Sequence, residues 1–304
     1  MFLTGGGAIL GVGIVTLDLV NQVESYPVED AEIRALSQRR TRGGNVANSL
    51  GVLSQLGHVC RWVGTLADDD TSRWVCTDFA RQGIDTSHAV VHPGGATPTS
   101  YITLSRATGS RTIVHHRDLP ELDEEAFARV SLEGVGWVHF EGRNPVATGR
   151  MMDRARRFAP GIRVSLELEK PRDGIEVLLD RPDLILAGRA YAEALGFDAP
   201  DAFVADLMSR TQARLCVAAW GAAGATLAVR DGAIVHVPAE PPPCVLDTLA
   251  AGDTFNAGVI DALMRGLEPR TAVGQAVRLA GFKCGRIGLD GLVEEARRTG
   301  LVLV

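Results

Sequence analysis

The stretch Asp247–Gly258, DTLAAGDTFNAG, decides how this chain is read. Three small residues, Ala250, Ala251 and Gly252, precede a single carboxylate, Asp253, and the residues after it have the period of a helix. Small side chains let the backbone turn sharply and let a ligand approach it closely. The first amides of a helix lack partners within it, and the helix dipole makes that end attractive to anions. A lone acid at a helix start is also a common stabilising charge. Which of the two holds here depends on the rest of the chain.

Downstream, TFNAGVIDALMRG, TAVGQAVRLAGFKCG and VEEARRTG read as helices joined by short connections containing Gly or Pro. Immediately upstream, ATLAVRDGAIVHVPA reads as a β-hairpin. Further back, strands alternate with helices. AILGVGIV, HVCRWVGTLA, WVHFEG, RVSLELE, DLILAG and LCVAAWG are strand candidates. NVANSLGVLSQLG begins at a cap-like Asn45, places Val46, Leu50 and Leu53 at helical spacing and stops at Gly57. SRWVCTDFARQG and the segment 146–158 are further helices. This alternation predicts an α/β fold with a mostly parallel sheet covered on both faces. Such sheets bind ligands at the carboxyl ends of their strands.

Two segments, about 16–44 and 97–116, break the alternation. The first holds the extended, charged SYPVEDAEIRALSQRRTRGG. The second, TPTSYITLSRATGSRTIVHH, alternates apolar with polar and turns at Ala107–Gly109. Together they are expected to form a small β-lid on the α/β body. Its apolar residues Ile102, Leu104 and Ile113 have no local helix to cover them, so the lid is expected to bury that face against a second copy. No long linker or repeat divides the sequence, so residues 1–304 are expected to form a single domain.

Hydrophobic residues make up 46% and charged residues 22%, the balance of a soluble globular protein. The net charge of −6 argues against a broad nucleic-acid surface. No apolar run reaches the roughly 18 residues that span a bilayer. The N-terminal MFLTGGGAILGVGIV lacks the basic start and cleavage site of a signal peptide and reads as a short tail leading into a strand. Cys60, Cys76, Cys216, Cys244 and Cys284 are scattered and odd in number, which speaks against a disulfide framework and fits a reduced, cytoplasmic protein.

Four features carry chemistry. Asp18 in GIVTLDLV is read as the end of the first strand, on the ligand side of the sheet. RGGNVANSLG places Asn45 and Asn48 three apart at a helix start, where both amides can hydrogen-bond a hydroxyl-rich ligand. Arg111 in GSRT sits on the lid, where a guanidinium can cover phosphates. The fourth is the Asp253 turn. A carboxylate beside an anion-binding helix start suits phosphoryl transfer, because the amides offset developing charge while the acid accepts the proton of the attacking hydroxyl. No Walker sequence and no protein-kinase motif set is present. The GVG at Gly11–Gly13 lacks the third glycine of a dinucleotide fingerprint, so a nicotinamide oxidoreductase has little support.

RGGNVANSLGVLSQLG and DTLAAGDTFNAG resemble the two signatures of the pfkB, or ribokinase-like, family of carbohydrate kinases. The likeness extends over nearly the whole chain. YPVEDAEIRALSQRRTRGGN, GSRTI, EGRN, ELEKPR, PPP-VLDTL and KCG are similar to the ketohexokinase branch, the fructose 1-kinases. The resemblance implies a ribokinase-like three-layer α/β/α sandwich with a β-sheet lid, or clasp. It implies ATP and Mg²⁺ as cofactors and phosphorylation of fructose or a related ketose. By position it assigns Asp18, Gly44, Asn45 and Asn48 to the sugar and Asp253 to the catalytic base. Ala250, Ala251 and Gly252 become the anion hole, and Gly221, Ala222, Ala223 and Gly224 a nucleotide-binding loop.

Several positions depart from the family pattern. Ala250 stands where the family usually has Gly. Its amide can serve unchanged if φ is negative, whereas a positive φ costs about 1 kcal/mol. Ala222 and Ala223 stand where ketohexokinases can carry acids, and Gly188 and Tyr191 replace the magnesium-organising Asn-x-x-Glu pair, leaving the metal ligands unidentified. A potassium ion near the Asp247 loop is typical of the wider family. Ketohexokinases also form clasped homodimers through their lids, which implies that Asp30 reaches the partner's sugar site. The alternatives are pfkB kinases for ribose, 2-keto-3-deoxygluconate or fructose at its 6-position, and a silent sugar- or nucleotide-binding protein. An intact Asp253 speaks against the last.

Overall fold

The structure, a computed structural model, describes residues 6–301. Most of the short N-terminal tail read from the sequence lies outside them. Among the described residues the main sheet has nine strands. In spatial order they are Ile234–Val237, Ala225–Val229, Leu215–Ala219, Leu184–Gly188, Arg163–Leu168, Val135–Glu141, Ala8–Val12, Cys60–Val63 and Ile84–Asp85. The first two are the antiparallel hairpin expected after LCVAAWG, and the other strands pair in parallel.

The parallel strands are apolar on both faces because helices cover both. On one side Ile9, Leu186 and Val217 pack with Val46, Leu50, Leu53, Val259, Ile260, Leu263 and Val273. Those partners come from helices Asn45–Gln55, Ala251–Met264 and Pro269–Cys284. On the other side Leu10, Val138, Phe140, Leu166 and Ile185 meet Met151, Met152, Phe203 and Val204. These belong to helices Pro145–Phe158 and Pro200–Ser209. The result is the expected three-layer α/β/α arrangement.

The lid is a separate four-stranded sheet in the order Ser37–Gly43, Thr16–Val23, Ala96–Ser105, Arg111–Asp118. Both excursions therefore meet in one sheet, through parallel pairing of Thr16–Val23 with Ala96–Ser105. The hairpin closes at Gly109, whose amide donates to Ser105. Val20, Ile102 and Leu104 form a small cluster of their own, against which Leu249 packs. Tyr101, Ile113 and Val114 remain exposed.

Three local readings need correction. The strand read as AILGVGIV ends at Val12, and Asp18 belongs to the first lid strand rather than to the main sheet. At Gly13–Val15 the chain leaves the sheet, held by the Ile14 amide, which donates to Glu141. HVCRWVGTLA breaks at Gly64, so Thr65–Ala67 pairs with Val90–His92 outside the main sheet. Asn45 is not the helix cap. Gly44 holds that position at φ 102°, ψ 127°, and Asn45 begins the helix with its side chain free for other work.

Candidate active site

A cleft of about 1000 Å³ lies between the lid and the carboxyl ends of the parallel strands. Asp18, Gly44, Asn45, Asn48, Arg111, Ala250, Ala251, Gly252 and Asp253 all line it. The fold thus brings together residues as far apart in the sequence as the lid's first strand and the helix Ala251–Met264.

Asp253 stands in the first turn of the helix Ala251–Met264 and is buried. Its Oδ2 accepts a hydrogen bond from Asn48 Nδ2 at 2.8 Å, and its main-chain oxygen accepts one from Ser49 Oγ at 3.0 Å. The two signature helices are bolted to each other at this carboxylate. Burial pushes Asp253 up to about 8; the hydrogen bond from Asn48 opposes this, and the charges of Glu169, Glu141 and Asp18 reinforce it. A carboxyl poised near neutrality is suited to taking a proton.

The turn before it settles the alternative left open at Ala250. Its φ is +60° and its ψ 15°, a left-handed conformation costing about 1 kcal/mol for a residue with a Cβ. That turn carries the chain into the helix so that the Thr254 amide closes onto the Ala250 oxygen and the Ala251 amide onto Thr248. The amides of Gly252 and Asp253 have no partner among the described residues, which leaves them for an anion.

Asp18 enters from the lid and accepts from Thr16 Oγ1 at 2.7 Å. Burial raises its pKa, against hydrogen bonds from Thr16 and Ser100 and the charge of Arg42. Asn45 Nδ2 donates to Glu167 Oε1 at 3.1 Å, and Asn256 Nδ2 donates to the same oxygen at 3.1 Å. The other oxygen of Glu167 is buried without a partner among the described residues. Burial and the neighbouring charges of Asp253, Glu141 and Glu169 hold Glu167 well above the usual carboxylate range. Glu141 accepts from the amides of Ile14 at 3.3 Å and Val46 at 3.0 Å, which fixes the chain where the lid departs and where the Asn45 helix begins.

Arg111 reaches from the last lid strand to Thr248 Oγ1 at 2.9 Å, so the lid touches the loop that leads to the Ala250 turn. Gly221–Ala223 form an exposed single turn beyond Ala219. Ala219 lines the cleft, whereas the residues 221–224 do not. Asp30 lies in the exposed loop between the lid strands, at φ 64°, outside its own cleft. Gly188 lines the cleft, and Tyr191 is buried in the core.

Sequence reasoning missed Glu141 and Glu167 as site residues, together with Lys170 and Arg172, which give the cleft a basic rim. A signal was present. Glu141 ends one parallel strand and Glu167 stands one residue from the end of the next, on the side where such sheets take ligands.

The profile of the pfkB family of carbohydrate kinases matches residues 8–296. The chain belongs to this family. This pfkB kinase is 39% identical to the ketohexokinase of Mus musculus over 293 residues, a match covering 94% of this chain and 98% of that protein. It is 24% identical to fructokinase-1 of Zea mays, with 93% and 92% of the two chains covered. The structure of the ribokinase from Thermotoga maritima superposes with a TM-score of 0.77 at 21% identity, covering 96% of this chain and 99% of that one. That likeness shows the fold: a ribokinase-like α/β body with a lid.

Proposed function

We propose that this protein, an ATP-dependent sugar kinase, acts on fructose or a related ketose and yields the 1-phosphate. The carrying observation is the Asn48–Asp253 hydrogen bond beside the unpartnered amides of Gly252 and Asp253, on a chain 39% identical to a ketohexokinase. The sugar lies between Asp18 of the lid and the side chains of Asn45 and Asn48. Its acceptor hydroxyl meets Asp253, whose carboxylate takes the proton as the oxygen attacks the γ-phosphorus. The unpartnered amides of Gly252 and Asp253, in the turn 250–253, face the charge that grows on the transferring group. Arg111, Lys170 and Arg172 offset the charge of the triphosphate. Residues Gly221–Gly224 flank the nucleotide end.

Among the described residues no group of three His, Cys, Asp or Glu side chains is arranged to hold a metal. This suits Mg²⁺ that arrives with ATP and takes most ligands from phosphate and water. Glu167, with its unpartnered Oε2, and Glu169 at the cleft are the groups that would hold it. Bound there, the ion would lessen the charge repulsion at the phosphates. Potassium fits poorly at Asp247, because its main-chain oxygen and carboxylate already hold Lys283, and Arg39 binds the same carboxylate at 2.8 Å.

An ATP-consumption screen over ketoses and aldoses, with NMR of the product, tests the substrate. Phosphate on fructose O1 supports the proposal. Preference for ribose or 2-keto-3-deoxygluconate, or phosphate on O6, replaces it with another pfkB activity, and no consumption with any sugar points to a silent binder. In the same assay, Asn45→Ala and Asn48→Ala should each raise the KM for sugar by about tenfold or more while moving that for ATP far less. Equal changes in both constants would remove the asparagines from the sugar.

We further propose that residues 1–304 act as one cytoplasmic kinase domain and pair through their lids. The expectation that Ile102 and Leu104 await a second copy needs revision, since both are buried against Leu249 within one chain. The apolar face left for a twofold contact comprises Tyr101 and Val114, with Val28 in the loop that bears Asp30, whereas Ile113 pairs with Ile102 on the face that lines the cleft. Asp30 of each subunit then serves the other's sugar site. Mixing an Asp253→Asn subunit with an Asp30→Ala subunit should restore turnover, because one site of each heterodimer carries both lesions and the other neither. A fully active monomer in sizing experiments would sink the pairing.

A further inference from the structure

Lys283, near the end of the helix Pro269–Cys284, has no exposed surface. Its ammonium donates to the main-chain oxygen of Asp247 at 2.7 Å and stands 3.2 Å from the carboxylate oxygen Oδ2. Holding a buried ammonium is costly, and an apolar side chain of similar volume would fill the space without that cost. Burial pulls the lysine below its ordinary range, while Asp247 works to keep it charged.

Asp247 is the hub of a longer chain of contacts. Its Oδ1 accepts from the amide of Leu249 at 2.9 Å, and its Oδ2 accepts from the amide of Gly288 at 3.1 Å and from Arg39 of the lid at 2.8 Å. Burial would raise its pKa, but Lys283, those amides and Arg39 outweigh burial and hold it below the carboxylate range. One ammonium thus fixes both the backbone and the side chain of the residue three positions before the left-handed Ala250. From there the chain has only Thr248 and Leu249 to cross before the turn that aims the anion-binding amides.

We propose that Lys283 is a positioning residue, a built-in cation that pins the Asp247 segment so that the amides of Gly252 and Asp253 meet the transferring phosphoryl group in register. It touches neither sugar nor nucleotide and acts through the loop. The inference rests on the kinase reading, and the test separates the two.

The test uses the full chain in potassium-free buffer, as wild type, Lys283→Met and Lys283→Ala, with tetramethylammonium chloride holding the ionic strength. A misplaced anion site should lower kcat on the order of 10–100-fold in both variants, with the KM for sugar within about threefold of wild type. Replacing tetramethylammonium by ammonium chloride should restore kcat of Lys283→Ala saturably, by about fivefold or more, and leave wild type unchanged. Ammonium should also raise the Tm of Lys283→Ala by about 2–4 °C and not that of wild type. Wild-type kcat in the variants, a loss that ammonium does not relieve, or failure of both variants to fold would each overturn the positioning role. If wild type turns over no sugar, the kinase reading fails, and the Tm response alone still decides whether the cation pins the loop.

Discussion

Asp253→Asn should lower kcat by a factor on the order of 10²–10⁴ while sugar affinity weakens far less. The change is nearly isosteric, and an amide oxygen can still accept from Asn48, so the helix junction persists. What disappears is the proton acceptor. With Asp253 raised to about 8, kcat/KM of the parent should climb with pH through neutrality and level off above that value, and the variant should lose this limb. The same shift has a consequence for stability. A carboxyl with a folded pKa above its unfolded one favours the fold at acid pH, and that contribution is lost as pH rises from the ordinary carboxylate range towards 8. The amide has no such loss, so at about pH 9, above that value, calorimetry should find the variant melting above the parent. Near-normal turnover at the pH optimum would take the base assignment away from Asp253.

The second large effect is expected at Gly44→Ala. Gly44 has φ 102°, and a Cβ there would lie 2.3 Å from the main-chain oxygen of Ile14 and 3.0 Å from Val15 Cα. Neither neighbour yields easily, because the Ile14 amide is tied to Glu141, as is that of Val46 two residues after the glycine. Backbone strain and clash together should cost on the order of 3 kcal/mol or more. Urea unfolding measures this as a lower midpoint at unchanged slope. A midpoint equal to the parent's would mean that the lid departs from the body along a softer path than the contacts indicate.

The alternation of strands and helices was legible because the parallel strands are predominantly apolar and each helix carries its own stripe. The lid was legible through its period-two hairpin. Asp18 was assigned to the cleft by the wrong route, since nothing in GIVTLDLV marks Gly13–Val15 as an exit from the main sheet. The strand-end rule that selected Asp18 applies instead to Glu141 and Glu167. Their value comes from partners 89 to 127 positions away, which no local pattern reveals. Lys283 was hidden for the same reason: a lysine in a helical stretch reads as solvated until its partner, 36 positions earlier, is known. Ala250 was legible as a departure, but its sign needed a backbone angle.

The hydrogen bond between Asn48 and Asp253, 205 positions apart, also orders events during synthesis. A ribosome adds roughly 5–20 residues per second, so on the order of 10–40 s separate the two side chains as they emerge. For that interval Val46, Leu50 and Leu53 on the nascent helix have no helix 251–264 to cover them, whereas the lid's first strand meets its parallel partner Ala96–Ser105 in the earlier part of it. The emerging chain therefore passes through a stage in which an apolar helix face is a client for chaperones. A message truncated before codon 253 would release a product that is inert and prone to aggregate, rather than a weaker enzyme.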